Sequence, residues 1–367
     1  MADTAKHKLF FYSYVIIGVL CLLIIVISTN VGIAKKFMYI DKQPFGDLYS
    51  MCRISTFRIS RKVLSNEMIN RHSLSNAEVI FIGDSFIKKW YGHNFEIFEK
   101  ETGIPSFCSR FINKITPLGI LKKENYKASS LKYLVFETVE RNIFNIAAPS
   151  STDKVAIPSK ESIIRRYIVK PSILNLLLVQ NPVAFKFFEF RDTFRFYVLN
   201  EMSPRIPVYS VSPPMLFYRD GVAFNRRHKT DKDIDDLVNK IEAINLVLQK
   251  KYNIKMIFMP VPNKYSIYGY DYDKYRYNSG GEKYDNFLPR LYKKLDKKGI
   301  AYIDLYHCFV RNKRTLLYYP TDTHWNLHGI RMAVRKIQEE IYRLSRQNGN
   351  ALRLWRKRTL LKAKNAF

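Results

Sequence analysis

The longest apolar run in the chain lies near its start. Residues 9–34 carry no charged side chain and include Val15-Ile16-Ile17-Gly18-Val19-Leu20 and Leu22-Leu23-Ile24-Ile25-Val26-Ile27. Eighteen or more such residues can span a bilayer. A cleaved signal peptide has a shorter apolar core, about 7–15 residues, ending at a small-residue site, and no convincing site is present here. The run therefore predicts an uncleaved transmembrane anchor over 9–34 behind a short tail, 1–8. Residues 35–76 are basic and weakly patterned, and read as a stalk.

Beyond the stalk the hydrophobic pattern changes to short, near-continuous apolar runs separated by helical periodicity. The runs are 78–83, Tyr133-Leu134-Val135-Phe136-Glu137-Thr138-Val139, Met256-Ile257-Phe258-Met259-Pro260-Val261 and Tyr302-Ile303-Asp304-Leu305. Strands of this kind, covered on both faces, belong to parallel sheets. Between them, residues 231–252 place Ile234, Leu237, Val238, Ile241, Ile244 and Leu248 at helical spacing, and 282–298 and 327–343 are similar. The alternation predicts a three-layer, doubly wound α/β domain over 77–348. Residues 142–230 interrupt the rhythm with eight prolines. They read as a helical insertion, either an ordinary subdomain or a cap whose Phe187, Phe188, Arg191, Arg195 and Phe196 suit an interface. Residues 265–284 read as a long loop, and 349–367 as a basic tail.

Charge narrows the partners. Lys and Arg outnumber Asp and Glu by 61 to 32, a formal net charge of +29. Such a field attracts nucleic acid, acidic headgroups or anionic glycans, or else reflects basic side chains spread over a surface. No nucleic-acid-binding motif accompanies it, so no nucleic-acid partner is expected. Lysines flank both ends of the apolar run (Lys6 and Lys8; Lys35, Lys36 and Lys42), so charge alone does not orient the anchor. Of four cysteines, Cys21 falls in the run, and Cys52, Cys108 and Cys308 have neither disulfide-framework nor zinc-site spacing.

Two fragments carry chemistry. Ile80-Phe81-Ile82-Gly83-Asp84-Ser85-Phe86 puts a serine just past a strand, where ligands bind in such folds. Tyr319-Pro320-Thr321-Asp322-Thr323-His324-Trp325-Asn326 puts an aspartate two residues before a histidine. A serine hydroxyl needs a histidine to take its proton, and that imidazole needs a carboxylate to fix its tautomer. Ser85, His324 and Asp322 are accordingly the candidate nucleophile, general base and orienting acid. Gly-Asp-Ser is also a common turn or cap, and Asp84 is expected to shape the turn. His324 and His328 are spaced i, i+4, but Asn326 and Gly329 make the start of that segment a loop or cap. No metal and no cofactor is therefore expected.

With these fragments the chain resembles the SGNH (GDSL-like) hydrolase superfamily. The nearer likeness is to its branch of bacterial polysaccharide O-acetyltransferases, the alginate acetylation proteins and relatives. Phe136-Glu137-Thr138-Val139-Glu140-Arg141, Pro260-Val261-Pro262-Asn263-Lys264-Tyr265-Ser266-Ile267-Tyr268 and Gly299-Ile300-Ala301-Tyr302-Ile303-Asp304-Leu305 resemble segments of that branch. The likeness extends over most of 78–345, without the insertion. Two features depart from it. The serine block here precedes the histidine block, whereas that branch has the opposite order, and the Gly-x-Asn-Asp block of standard SGNH esterases is absent.

The resemblance implies an SGNH-like fold and a membrane-anchored O-acyltransferase, an acetyltransferase in the first instance. Its acceptor would be a cell-envelope or exported polysaccharide, with anionic polymers among the options. Ser85 would carry the acyl group. Beside the Ser85 N–H, Arg110 and Arg141 are candidate oxyanion donors, and Lys264 and Trp325 candidate substrate-binding residues. The resemblance also implies a partner, a multi-spanning membrane acyltransferase that hands over the acyl group, and an inner-membrane location with the catalytic domain in the periplasm. Three other readings stay open: an esterase with the same triad, an enzyme moving D-alanine on teichoic-acid-type polymers, and a non-catalytic basic glycan-binding scaffold.

Overall fold

The computed structural model describes residues 2–29, 45–60, 74, 76–87, 94–110, 117–123, 126, 131–147, 149, 182–272 and 287–347. Helix α1 runs Ala2–Thr29. Its described side chains, residues 10–23, are exposed on every side. Among the described residues no helix is long and apolar enough to cross a membrane. The expected span over 9–34 is therefore not supported among the described residues.

The centre of the molecule is a parallel sheet of strands β1 (Val79–Gly83), β2 (Ser106–Arg110), β3 (Tyr133–Val139) and, later in the chain, β6 (Lys255–Val261), in the order β2-β1-β3-β6. β1 and β3 are buried at every position, as their unbroken apolar runs require. One face is covered by α3 (Asn94–Thr102) and α11 (Leu327–Gln347), the other by α4 (Pro117–Lys123), α7 (Asp231–Tyr252) and α9 (Phe287–Lys297). This is the expected α/β three-layer architecture. α7 begins at a capping box between Thr230 and Asp233, and ends where Asn253 turns left-handed (φ 52°).

The 302–305 strand shrinks to a single parallel bridge between Phe258 and Tyr302. The cause is Asp304, whose side chain accepts from the His307 N–H and caps a new helix, α10 (Leu305–Arg311). Residues 265–272, expected as loop, belong to helix α8 (Lys264–Tyr272), and the rest of that expected loop, 273–284, lies outside the described residues.

Two further expectations are corrected. The supposed insertion is not all helix. It contains α5 (Pro182–Val198), an antiparallel hairpin of β4 (Val208–Val211) and β5 (Pro214–Phe217), and α6 (Arg219–Arg226), while 150–181 lies outside the described residues. The supposed stalk folds back over 45–57. Helix α2 (Asp47–Cys52) and a following 3-10 turn (Ser55–Phe57) bury Leu48, Tyr49, Ile54 and Phe57 against Phe196, Ile206 and Leu216. The Tyr49 hydroxyl donates to the Glu189 carboxylate, and the Ser55 N–H donates to Thr193 Oγ1 at 3.0 Å. Residues 35–44 and 61–73 of the stalk, and the tail 349–367, lie outside the described residues. Phe196 is thus core, whereas Phe187, Phe190 and Phe194 on the same helix stay exposed. All four cysteines are free thiols.

Candidate active site

Ser85 follows β1 at the carboxyl edge of the sheet. The turn that presents it is built by two carboxyl groups. Asp84 accepts from the Phe86 N–H (3.0 Å) and from the Val139 N–H (3.1 Å), tying the turn to the end of β3. Glu137 on β3 accepts from the Asp84 N–H at 2.8 Å. Gly83 is what lets Glu137 lie there, since a Cβ at 83 would come 2.2 Å from Glu137 Oε2. Asp84 therefore shapes the turn, as expected.

In the sequence Glu137 stands out only as part of a segment that resembles the acetyltransferase branch, yet it sits directly beneath the serine turn. Burial, and then the neighbouring Asp84 carboxyl, push its own carboxyl well above the ordinary value of 4.5. Its surroundings thus favour the protonated form, and its Oε1 has no hydrogen-bond partner among the described residues. A group whose folded pKa is raised stabilises the fold below its unfolded pKa, and that contribution is lost as pH rises. Glu137→Gln, which copies the protonated acid, should match the wild type in stability below about pH 4.5 and be the more stable of the two at pH 7, because it escapes the loss above pH 4.5. Glu137→Ala strands the buried Asp84 N–H and opens a void, and should cost about 2–4 kcal/mol. Thermal melts across pH check both.

The histidine arrives on a six-residue loop, 319–324, closed at its base by an antiparallel bridge between Tyr318 and Trp325. The Tyr319 N–H donates to the His324 carbonyl (3.1 Å), and the Asn326 N–H to the Leu317 carbonyl (2.8 Å). Asn326 then caps α11, accepting from the His328 and Gly329 N–H groups. His328 is therefore an exposed first-turn residue, apart from the buried His324.

Ser85, His324 and Asp322 come together. His324 Nε2 lies 2.9 Å from Ser85 Oγ, and His324 Nδ1 lies 2.6 Å from Asp322 Oδ1. Asp322 is fully buried and His324 only 4% exposed, whereas Ser85 is half-buried, open on one side. Asp322 also accepts from the His324 N–H (2.9 Å), so one carboxylate holds both the ring and its backbone. A hydroxyl bonded to an imidazole that is in turn bonded to a buried carboxylate is the arrangement an activated nucleophile requires.

The other candidates divide. Lys264 is buried, and its Nζ donates to the carbonyls of Tyr319 (2.7 Å), Pro320 (2.5 Å) and Asp322 (3.2 Å). Burial lowers its pKa to about 7, and Asp322 and Asp47 oppose that shift. Lys264 braces the loop from below by satisfying its carbonyls, and this bonding occupies the ammonium group that the sequence offered for substrate. Trp325 is 1% exposed and stands edge-on to Phe86, with ring centres 5.3 Å apart, so it packs the core behind the serine. Tyr268 is a strut, its hydroxyl accepting from the Leu317 N–H at 2.9 Å.

Arg141 remains near the site. Its guanidinium lies 6.0 Å from the centre of the Phe86 ring and 5.7 Å from that of Tyr218, with Nη1 3.4 Å from Asn263 Oδ1. Arg110 ends β2 in register with Gly83, and its side chain lies outside the described residues.

Sequence reasoning missed Asp47. It belongs to the supposed stalk, yet one carboxylate oxygen lies 3.8 Å from His324 Nδ1. Asp47, Asp322 and His324 form the one grouping of potential metal ligands among the described residues. The oxygens of both carboxylates accept N–H or O–H donors from the loop and from α2, which suits an acid–base relay.

A family model described as an SGNH hydrolase-like domain, acetyltransferase AlgX, matches residues 213–362. Over that stretch the chain is similar to such a domain. The match takes in Lys264, Asp322, His324 and Trp325 and begins after Ser85, Arg110 and Arg141. It also takes in 213–230, which the sequence reading assigned to the unmatched insertion, so β5 and α6 go with the domain. No curated protein and no solved structure matches the chain.

Proposed function

We propose that the chain is a serine O-acyltransferase acting on hydroxyl groups of a cell-envelope or exported polysaccharide, and that the group moved is acetyl. The observation that carries this is the hydrogen-bonded series Ser85–His324–Asp322 at the carboxyl edge of a parallel sheet. The similarity of 213–362 to an acetyltransferase domain supports the reaction class.

In the first half-reaction Ser85 Oγ attacks the acyl carbonyl and its proton passes to His324 Nε2. The tetrahedral intermediate expels the donor's oxygen or sulfur, which leaves with the proton from His324. The acyl group is then an ester on Ser85. In the second half-reaction His324 takes the proton of a sugar hydroxyl, whose oxygen attacks that ester, and the proton returns to Ser85 Oγ as it leaves. Asp322 holds Nδ1–H throughout and stabilises the imidazolium. The oxyanion formed in each half-reaction needs preorganised donors. The Ser85 N–H and the Arg141 guanidinium fill that role.

The acyl donor in this scheme is a multi-spanning membrane acyltransferase, and the catalytic domain faces the periplasm on an anchor formed by 9–34. The support for the anchor is the uncharged run of the sequence over 9–34. The surplus of basic residues favours an anionic acceptor. Turnover of an activated acetyl ester, measured with and without polysaccharide fragments, tests the scheme. Transfer predicts ester-linked acetyl on sugar at the expense of free acetate. Free acetate alone, whatever sugar is offered, would identify an esterase instead.

A further inference from the structure

We infer that Asp47, on the segment ahead of the sheet, is a positioning residue of this site. Its carboxylate braces the Asp322–His324 loop and adds negative charge beside His324, so residues 45–57 complete the acid–base machinery. The inference deepens the triad reading above and rests on it for its catalytic consequence.

The bonding is dense and specific to the loop. The Asp47 N–H donates to Asp322 Oδ2 at 3.2 Å, on the carboxylate oxygen that does not face His324 Nδ1. Asp47 Oδ1 accepts from the Thr323 N–H (2.7 Å), and its Oδ2 accepts from Thr323 Oγ1 (2.5 Å). The same hydroxyl lies 3.2 Å from His324 Nδ1. Next door, the Leu48 and Tyr49 N–H groups both donate to the Thr321 carbonyl, and Thr321 Oγ1 donates to the Phe45 carbonyl at 2.6 Å. Three consecutive loop residues are thus fastened to one short segment more than 260 positions upstream.

Gly46 makes the approach possible. It sits at φ 96°, and a Cβ there would come 2.2 Å from the Thr321 carbonyl oxygen.

The charge has a consequence that the hydrogen bonds alone do not. Asp322 fixes the imidazole by a direct bond, whereas Asp47 faces it at 3.8 Å without one. An ionised carboxylate at that distance favours the imidazolium, the form His324 passes through in both half-reactions. The titratable groups facing Asp47 are Asp322, His324 and Lys264. Burial first, then the Asp322 carboxylate, raise the Asp47 pKa to about 6, while His324 and the Thr323 hydrogen bonds lower it. The ionisation of Asp47 is thereby moved up from the ordinary carboxylate range toward that of an imidazole.

Asp47→Asn separates charge from shape, because the amide keeps an acceptor for the Thr323 N–H and can donate to the Thr323 hydroxyl. In the full chain in detergent, kcat/KM for an activated acetyl ester should fall about tenfold on the alkaline plateau, with KM unchanged. The acid limb should drop more steeply than a single ionisation in the wild type and with unit slope in the variant, and Asp47→Glu should restore part of the plateau. A folded pKa raised above 3.8 gives stability that is lost as pH rises through about 6, so Asp47→Asn should be no less stable than wild type at pH 8.

Histidine-selective NMR gives a readout independent of turnover. The His324 ring signals, assigned by their loss in His324→Gln, should move in Asp47→Asn at fixed pH, because the variant removes a carboxylate 3.8 Å from Nδ1. Unmoved His324 signals would overturn the inference, as would a fall in activity accompanied by lower stability and an unaltered acid limb. If the signals move but no ester is turned over, Asp47 is coupled to His324 as inferred and the triad reading is the part that fails.

Discussion

Replacing Ser85 or His324 by alanine should lower ester turnover by about 10⁴–10⁶-fold, and replacing both should cost little more than either alone. In the proposed mechanism the two groups act as one unit across the 2.9 Å contact between Oγ and Nε2. Without the imidazole the hydroxyl keeps its proton, and without the hydroxyl the imidazole has nothing to activate. Asp322→Asn should cost less, about 10⁴-fold, because the amide keeps a partner for the ring but favours the wrong tautomer. Neither alanine should unfold the chain, since Ser85 is small and half-buried and the loop keeps its bonds to Lys264 and α2. Steady-state kinetics on the two single variants and the double variant check this. Additive losses would mean that the serine and the histidine serve separate purposes.

The second large effect falls on stability. Trp325→Ala should cost about 3–5 kcal/mol, the usual range for emptying a buried aromatic site. Trp325 is enclosed by Phe86 on one side and Phe309 on the other, and it forms the bridge that closes the 319–324 loop. Phe86 follows the serine, so the void opens directly behind the nucleophile and activity should fall with stability. Trp325→Phe is the informative comparison. It keeps a ring against Phe86 and removes an indole Nε1–H that has no hydrogen-bond partner among the described residues. Its cost should be well under half that of alanine. Denaturant melts of the two variants decide it, and equal losses would contradict a packing role.

Much of this architecture can be read in the sequence, and the exceptions have physical causes. β3 and α7 are found at the expected bounds, because an unbroken apolar strand and a long helix with a capping box each carry their own local signal. β2 was missed. Its Ser106-Phe107-Cys108-Ser109-Arg110 has no apolar run, and it becomes a strand only by pairing in register with β1 at the sheet edge. The strand expected at 302–305 gave way because Asp304 spends its side chain on a helix cap.

The same division runs through the site. Ser85, Asp322 and His324 are legible because nucleophile, base and acid must be those residue types, placed at a strand end and in a short loop. Lys264 was legible as a residue of interest, but its role depends on three carbonyls more than 50 positions away. Asp47 and Glu137 belong wholly to tertiary structure. Nothing local separates Asp47 from any other acid in a basic, weakly patterned stretch. Glu137 looks like a polar fault in a buried strand until Gly83 and Asp84 are set above it.

The most direct test is the covalent intermediate itself. The full chain in detergent would be incubated with an activated acetyl ester and its intact mass measured, with Ser85→Ala alongside. The proposed mechanism predicts a gain of one acetyl group on the wild type, absent from Ser85→Ala and discharged on adding water or a glycan acceptor. Equal labelling of both proteins, or no labelling together with no ester turnover, would contradict Ser85 as the acyl-carrying nucleophile.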